Sequence, residues 1–151
     1  MMMRTKTRMK KSKILLLVFF TIGELTAQPL PQKGENEAWT YQQIIASYQA
    51  LDELYANALY LETGTTDCGR PLSIFLMQAE PFAEEQSLVT LAKGKLVSLI
   101  NNGIHPGESC GMDASLLWSK ELLESGGPTP GQLIAIIPVY NIGGSLQARP
   151  H

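Results

Sequence analysis

The sequence predicts an α/β fold, and two observations lead to that class. First, an apolar run at residues 96–100, which predicts a buried strand, is followed by an amphipathic segment at 113–124 and then by a second apolar run at 133–137. This order of strand, helix and strand predicts a parallel pair of strands joined by a right-handed crossover. Second, two short runs at residues 57–62 and 72–77 flank a turn-rich connection, which predicts a hairpin with an extended loop.

The amino terminus has the layout of a secretory signal peptide. Residues 1–13 carry six basic residues and no acidic one, residues 14–22 form an apolar core, and Ala27 offers a small residue before Gln28. We therefore predict a signal peptide at residues 1–27 and export to the periplasm or the extracellular space. The rival interpretation is an uncleaved anchor, because Leu25 makes the cleavage site less than ideal, although the apolar run is too short to span a bilayer.

The predicted mature chain is acidic. The whole chain has 12 basic and 14 acidic residues, and loss of residues 1–27 removes six of the basic ones but only Glu24 of the acidic ones. The formal net charge then falls from -2 to about -7. Nucleic-acid binding requires a basic face, so this charge argues against a nucleic-acid partner. After signal removal we expect an exported protein without a stable membrane span.

The first part of the mature chain is predicted to be a lead-in followed by a helix. Residues 28–38 are polar and rich in proline and glycine, which predicts a flexible lead-in. A helix is expected from Thr40, where Gln43 three residues on favours a capping box. Its core-facing side chains recur at helical spacing and are Tyr41, Ile44, Ile45, Tyr48, Leu51 and Tyr55. The acidic stretch at residues 80–91 is expected to be a solvated loop.

A candidate metal site follows the first strand of the predicted strand–helix–strand unit. The strand ends in a polar turn at residues 101–103, and His105 and Glu108 follow around Pro106 and Gly107. Open α/β sheets place their ligands at the carboxyl ends of strands, and imidazole and carboxylate are both good zinc ligands. The turn allows both side chains to converge on one point. Taken alone, His-x-x-Glu is a weak signal, and the plain alternative is a surface turn with two polar residues.

The chain has two cysteines, Cys68 and Cys110. An exported protein can keep a disulfide, but the sequence does not establish whether the two lie within bonding range. Cys110 follows Glu108 by two residues and is a less favoured third metal ligand. A buried or idle thiol is the simpler interpretation for both cysteines.

Three segments together resemble the carboxypeptidase A-like zinc metallocarboxypeptidases. They are NNGIHPGE at residues 101–108, CGRPL at 68–72 and IIPVYNIGG at 136–144. The resemblance implies a three-layer α/β/α fold with a mixed, mostly parallel sheet, and makes residues 39–151 the amino-terminal portion of a zinc carboxypeptidase domain. It also implies Zn²⁺ as cofactor, a peptide substrate with a free carboxyl terminus, and His105 and Glu108 as the first two zinc ligands.

The family's catalytic domain is longer than this chain, so we expect an incomplete sheet and a chain that is inactive alone. In the family, the third zinc ligand and the general-base Glu lie further downstream than the aligned segments. His151 follows the last segment too soon to be that ligand, and Arg149 does not align with the arginines that bind substrate. A gene fragment, a truncation and a frameshift all remain open. We also expect the strand at residues 133–140 to lack flanking strands, which leaves an open edge.

The expected function is zinc-dependent hydrolysis of a carboxy-terminal peptide bond. Gly107 stands where some family members have an Arg between the two zinc ligands. A charged side chain that could assist the reaction electrostatically is therefore absent from that position. The alternative is a non-catalytic exported protein that binds peptide or carbohydrate on the same scaffold. The presence of both His105 and Glu108 counts against this alternative, and the missing downstream ligands count for it. A third interpretation is a small free-standing α/β domain with a chance His-x-x-Glu.

Overall fold

The computed structural model describes residues 30–31, 34, 37–83 and 87–147. The predicted signal peptide, two acidic residues of the 80–91 stretch, Arg149 and His151 lie outside these residues. The elements follow in the order α1 (Tyr41–Leu54), β1 (Ala58–Thr65), β2 (Pro71–Gln78), α2 (Leu88–Ala92), β3 (Leu96–Asn101), α3 (Cys110–Glu124), β4 (Gln132–Ile137) and α4 (Ile142–Gln147). Within the described part of the chain, no helix combines the length and apolarity needed to cross a bilayer.

Helix α1 begins with the predicted capping box. The side-chain oxygen of Thr40 accepts the backbone N–H of Gln43 at 3.3 Å, and the Gln43 side chain accepts the backbone N–H of Thr40 at 2.9 Å. Ile44, Tyr48 and Leu51 are buried, as their spacing predicts. The Tyr48 ring packs against a Phe ring of β2 with 4.7 Å between centroids, and burial raises the pKa of its phenol. This apolar stripe attaches α1 to the sheet.

The four strands form one mixed sheet in the order β1-β2-β4-β3. β1 and β2 form the predicted antiparallel hairpin, β2 and β4 are also antiparallel, and β3 and β4 form the predicted parallel pair. The α/β class and the mixed sheet are therefore confirmed. Two of the three pairings in this part are antiparallel, however, so the mostly parallel character is not seen among the described strands. A parallel pair needs a long crossover, and only α3 supplies one between neighbouring strands.

Helices lie on both faces of the sheet, which gives three layers. On one face, α1, α3 and α4 enclose the larger core with alternate residues of β2 and β4; its fully buried members include Ile44, Tyr48, Phe75, Met77, Leu116 and Ile136. On the other face, Leu91 of the short helix α2 packs with Leu76 and Leu133. The second face is covered only in part, because α2 has five residues.

β3 has an exposed edge, which corrects two expectations. The run at residues 96–100 was expected to be buried, but the side chains of Leu96, Val97 and Leu99 are 65%, 47% and 62% exposed. The strand expected to lack neighbours, β4, is paired on both sides. Both corrections have one cause, since β4 is inserted between β2 and β3. One of the two edge strands of the described sheet, β3, is therefore the strand that leads to the candidate site.

Three helices differ from the sequence prediction. Helix α2 occupies part of the stretch expected to be a loop, and Ser87 caps it by accepting the backbone N–H of Thr90 at 3.2 Å. Helix α3 begins at Cys110, three residues before the predicted start. Helix α4 begins within the segment at residues 136–144, for which the sequence predicted no helix. α2 forms because it turns the buried side chain of Leu91 onto the sheet.

Replacement of Thr40 by Ala is expected to lower the free energy of unfolding by about 1 kcal/mol, because the capping box is lost. Thermal denaturation followed by circular dichroism measures the change. Gln49→Ala is the matched control, since Gln49 is exposed in α1, and it should change the unfolding free energy by less than about 0.5 kcal/mol. Equal losses in the two variants would contradict the capping role.

Candidate metal centre

The β3–β4 ladder continues beyond both strands and fixes the loop that follows β3. Asn102 donates its backbone N–H to the carbonyl of Ile137 at 3.1 Å, and Tyr140 donates to the carbonyl of Asn102 at 2.8 Å. Asn141 then donates to the carbonyl of Gly103 at 2.9 Å. We call these three bonds the loop junction. It holds the segment after β3 against the segment after β4.

The side chain of Asn102 connects the loop junction to helix α3. Asn102 is buried, and its amide donates to the hydroxyl of Ser115 at 2.9 Å while that hydroxyl donates back to the amide oxygen at 3.1 Å. Each buried polar group thereby finds a partner, as buried polar groups in folded proteins generally do. The pair fixes where α3 lies relative to the end of β3.

Gly103 is required by backbone conformation and by space. Its φ is +62°, in the left-handed region that side chains with a β-carbon disfavour. A β-carbon at this position would lie 3.1 Å from Sδ of Met112 and 3.2 Å from Cγ1 of Val139. The chain therefore passes close to α3 and to the segment after β4 before it reaches the candidate ligands.

His105 and Glu108 lie on a closed turn with their side chains side by side. The backbone N–H of Glu108 donates to the carbonyl of His105 at 3.1 Å. Nδ1 of His105 lies 3.4 Å from Oε2 of Glu108, and both side chains are about three-quarters exposed. They line a cleft of about 240 Å³ together with Cys110 and Gly111. The turn thus presents a nitrogen and an oxygen donor to solvent at one point.

The separation of the two donor atoms fits a shared zinc ion. Zinc bonds of about 2.0–2.1 Å to nitrogen and about 2.0–2.2 Å to oxygen, in tetrahedral geometry, place two donors roughly 3.4 Å apart. The observed separation is 3.4 Å, which is longer than a charge-assisted hydrogen bond of about 2.7–2.9 Å. Among the described residues, no group of three or more His, Cys, Asp or Glu side chains is arranged to hold a metal.

The three segments that the sequence singled out meet beside this turn. A β-carbon added to Gly144 would lie 2.6 Å from Cγ of Pro106, and one added to Gly143 would lie 3.3 Å from Cβ of Cys68. Asn141 accepts the backbone N–H of Gly144 through its side-chain oxygen at 2.9 Å. The two glycines therefore allow α4 to approach both the His-Pro-Gly-Glu turn and the Gly-Arg-Pro turn.

Both cysteines are free thiols and both are exposed, so the buried alternative is wrong and the idle alternative stays a prediction. The sulfur of Cys68 lies 3.2 Å from the hydroxyl oxygen of Thr66. Cys110 lines the same cleft as His105 and Glu108. Both thiols are exposed because Cys68 lies in the turn between β1 and β2 and Cys110 is the first residue of α3, so that neither lies in the core.

Sequence reasoning missed the residues that support the turn. Asn102 was treated only as part of a polar turn, and Ser115 only as part of an amphipathic segment. Asn102 and Ser115 are thirteen residues apart in the sequence and belong to different segments. No local pattern indicates such a pair. The requirement for Gly103 had a weak signal, because Asn-Asn-Gly is a sequence that adopts positive φ.

Gly103→Ala is expected to lower the unfolding free energy by about 2–5 kcal/mol. Positive φ costs an alanine about 1–2 kcal/mol, and the crowding against Met112 and Val139 adds about 1–3 kcal/mol. Gly94→Ala is the matched control, because Gly94 has a φ of +75° and open space around its Cα. Urea denaturation of both variants separates the cost of the positive φ from the cost of crowding. Equal losses would contradict the close packing around Gly103.

The comparisons with known proteins bear on the fold. A scan against models of protein families found no match, and neither did a search of curated proteins. Among solved structures, carboxypeptidase A from Helicoverpa armigera matches with a TM-score of 0.59 and 19% identity, over 74% of this chain and 26% of that chain.

Two further solved structures match with TM-scores of 0.48. Thrombin activatable fibrinolysis inhibitor is 17% identical over 73% of this chain and 27% of its own. A metallo-carboxypeptidase from Burkholderia cenocepacia is 23% identical over 76% of this chain and 30% of its own. The chain spans about a quarter of the length of the Helicoverpa armigera protein. The described part of this chain therefore has the fold of part of a carboxypeptidase A-like domain.

Proposed function

We propose that this chain is part of an exported zinc metallocarboxypeptidase, which removes residues from the free carboxyl end of a peptide. In this proposal, His105 and Glu108 are two of the zinc ligands. The partial carboxypeptidase A-like fold supports the class of enzyme. The observation that carries the proposal is the 3.4 Å separation of the two donor atoms beyond the carboxyl end of β3.

The two candidate ligands and the two residues that hold the turn each have a defined task in this proposal. A zinc ion, when bound, supplies a Lewis acid that polarises a carbonyl group and lowers the pKa of water. His105 offers a nitrogen lone pair, and Glu108 offers a carboxylate oxygen whose charge offsets that of the metal. Asn102 and Gly103 hold the turn through the loop junction, so both donors are positioned before a metal arrives.

A second cleft adjoins the turn and supports a peptide as the substrate. Its volume is about 420 Å³, and it is lined by Thr66, Asp67, Leu72, Ile104, Tyr140 and Asn141. Ile104 also lines the cleft that contains His105 and Glu108, so the two clefts lie on either side of this residue. Apolar side chains with a few polar groups are typical of sites that bind organic ligands. A peptide in the second cleft would reach the metal-binding turn.

Hydrolysis needs more than the two donors of this turn. Catalytic zinc sites generally have three protein ligands and one open position, and the family resemblance places the third ligand and the general base further along the chain. We propose that the two donors of this turn alone bind zinc weakly and do not support peptide hydrolysis. Export remains a proposal that rests on the pattern of residues 1–27.

Zinc titration of the purified chain tests the ligand assignment. Isothermal titration calorimetry should detect one zinc ion per chain. His105→Ala and Glu108→Gln should each weaken the affinity by at least about tenfold, because each removes one of two donors. Glu121→Gln is the control, since Glu121 is exposed on α3, and it should bind zinc as the wild type does.

Two results would contradict the proposal. One is a wild-type chain that binds no zinc, and the other is equal zinc affinity in the wild type and both ligand variants. Circular dichroism of each variant shows whether the fold is kept. The binding-protein alternative makes a different prediction, namely that the chain retains a peptide equally well in the presence and absence of zinc.

A further inference from the structure

Asn102 and Gly103 form a dipeptide with a reactivity of its own. In an Asn-Gly pair, the backbone nitrogen of the glycine can attack the amide carbon of the asparagine side chain. This attack is faster than in other pairs that begin with asparagine, because glycine has no β-carbon to obstruct it and reaches more backbone conformations. Here the pair lies directly after β3 and shortly before His105.

The folded chain restrains the side chain of Asn102. This side chain is buried. Both polar atoms of its amide contact the hydroxyl of Ser115, with the nitrogen donating at 2.9 Å and the oxygen accepting at 3.1 Å. In the attack the amide nitrogen becomes the leaving group, so it has to give up its hydrogen bond to Ser115. Burial also limits the access of water to the leaving nitrogen.

The loop junction restrains the backbone of the same pair. Asn102 uses both its N–H and its carbonyl, toward Ile137 and Tyr140. The carbonyl of Gly103 accepts the N–H of Asn141. Closure of a succinimide ring on the Gly103 nitrogen changes the torsion angles of Asn102, so these bonds have to open before the ring can close.

We propose that Asn102 is a site of spontaneous deamidation, and that the hydroxyl of Ser115 suppresses this reaction in the folded chain. The reaction proceeds from a locally opened state, and its rate follows the population of that state. Each hydrogen bond to Ser115 lowers this population by a factor of roughly 2–12. The pair that fixes α3 against the end of β3 thus also protects the reactive amide.

The reaction needs water and no other reactant. A bond forms between the Gly103 nitrogen and Cγ of Asn102, the bond from Cγ to Nδ2 breaks, and the proton of the Gly103 nitrogen leaves with Nδ2 as ammonia. Water then opens the ring at one of its two carbonyls, and the ammonia takes up the proton of the new carboxyl group. One opening gives aspartate at position 102. The other gives isoaspartate, in which the main chain runs through the former side-chain carbonyl.

Both products alter the loop junction. Aspartate replaces a donor and an acceptor by a carboxylate that only accepts, so one bond to Ser115 is lost and a charge is buried. Isoaspartate lengthens the main chain by one carbon atom and displaces the segment that follows from Tyr140 and Asn141. The reaction therefore acts on the segment that holds the candidate metal ligands.

The proposal is independent of the proposed zinc site, because its test measures the mass of residue 102 and uses no metal. A chain that binds no zinc would leave it intact, and an unreactive Asn102 would leave the zinc proposal intact.

Mass spectrometry of the full chain, incubated in urea at mildly alkaline pH, tests the site. Tandem spectra locate the replacement of an NH group by oxygen, and an isoaspartate product identifies the succinimide route. Asn102 should be modified several-fold faster than Asn101, which is followed by asparagine rather than by glycine. Gly103→Ala should remove most of this difference, because its β-carbon obstructs the attack.

Incubation of the folded chain without urea tests the role of Ser115. The wild-type chain should be modified at Asn102 several-fold more slowly than in urea. Ser115→Ala should raise the rate in the folded chain by about fivefold or more, because two hydrogen bonds to the amide are lost. Ser119→Ala is the matched control, since the fully buried Ser119 hydroxyl donates to the backbone carbonyl of Ser115 and not to Asn102. This control should stay within about twofold of the wild-type rate, because the opening is local.

The unfolding free energies of both serine variants, measured by urea denaturation, separate local opening from global unfolding. Rates that rise in both variants only in proportion to their loss of stability would mean that the reaction proceeds through the unfolded chain, which overturns the role of Ser115. A Ser115→Ala chain that is modified no faster than the wild type overturns it as well. Equal modification of Asn101 and Asn102 in urea excludes the site.

Discussion

The loop junction is the interaction on which the candidate site depends. Its three backbone hydrogen bonds extend the parallel β3–β4 ladder past the ends of both strands, so the chain leaves the sheet at a fixed point. The Asn102–Ser115 pair then sets the position of α3. On the other side, Gly144 of α4 allows close approach to Pro106. Without the junction, His105 and Glu108 would lie on an unsupported surface turn.

Much of the fold was predictable because local patterns specify it. The capping box at Thr40, the hairpin and the strand–helix–strand unit each depend on residues close together in sequence. The exposure of β3 was not predictable, because an apolar run has the same pattern in a central strand and at an edge. Strand order decides between the two, and that order is set by β4 pairing with both β2 and β3. The antiparallel β2–β4 pair likewise depends on distant segments.

The candidate ligands were predictable from local sequence, whereas the contacts that hold them in place were not. His105 and Glu108 were predicted from residue type, spacing and position after a strand, and the structure brings their donor atoms within 3.4 Å. Their role as zinc ligands stays a prediction. The supporting contacts of Asn102 with Ser115, and of Gly144 with Pro106, join separate elements and have no local signature. Helix α2 was missed because its burial depends on a sheet face that only the folded chain presents.

The central claim is that the turn after β3 presents one imidazole and one carboxylate to a single zinc ion. X-ray absorption spectroscopy of the zinc-loaded chain tests it most directly, because it identifies the atoms bound to the metal. The expected spectrum shows imidazole scattering and light-atom bonds of about 2.0–2.2 Å, without sulfur. A shell without imidazole, or one made only of sulfur at about 2.3 Å, would contradict the claim.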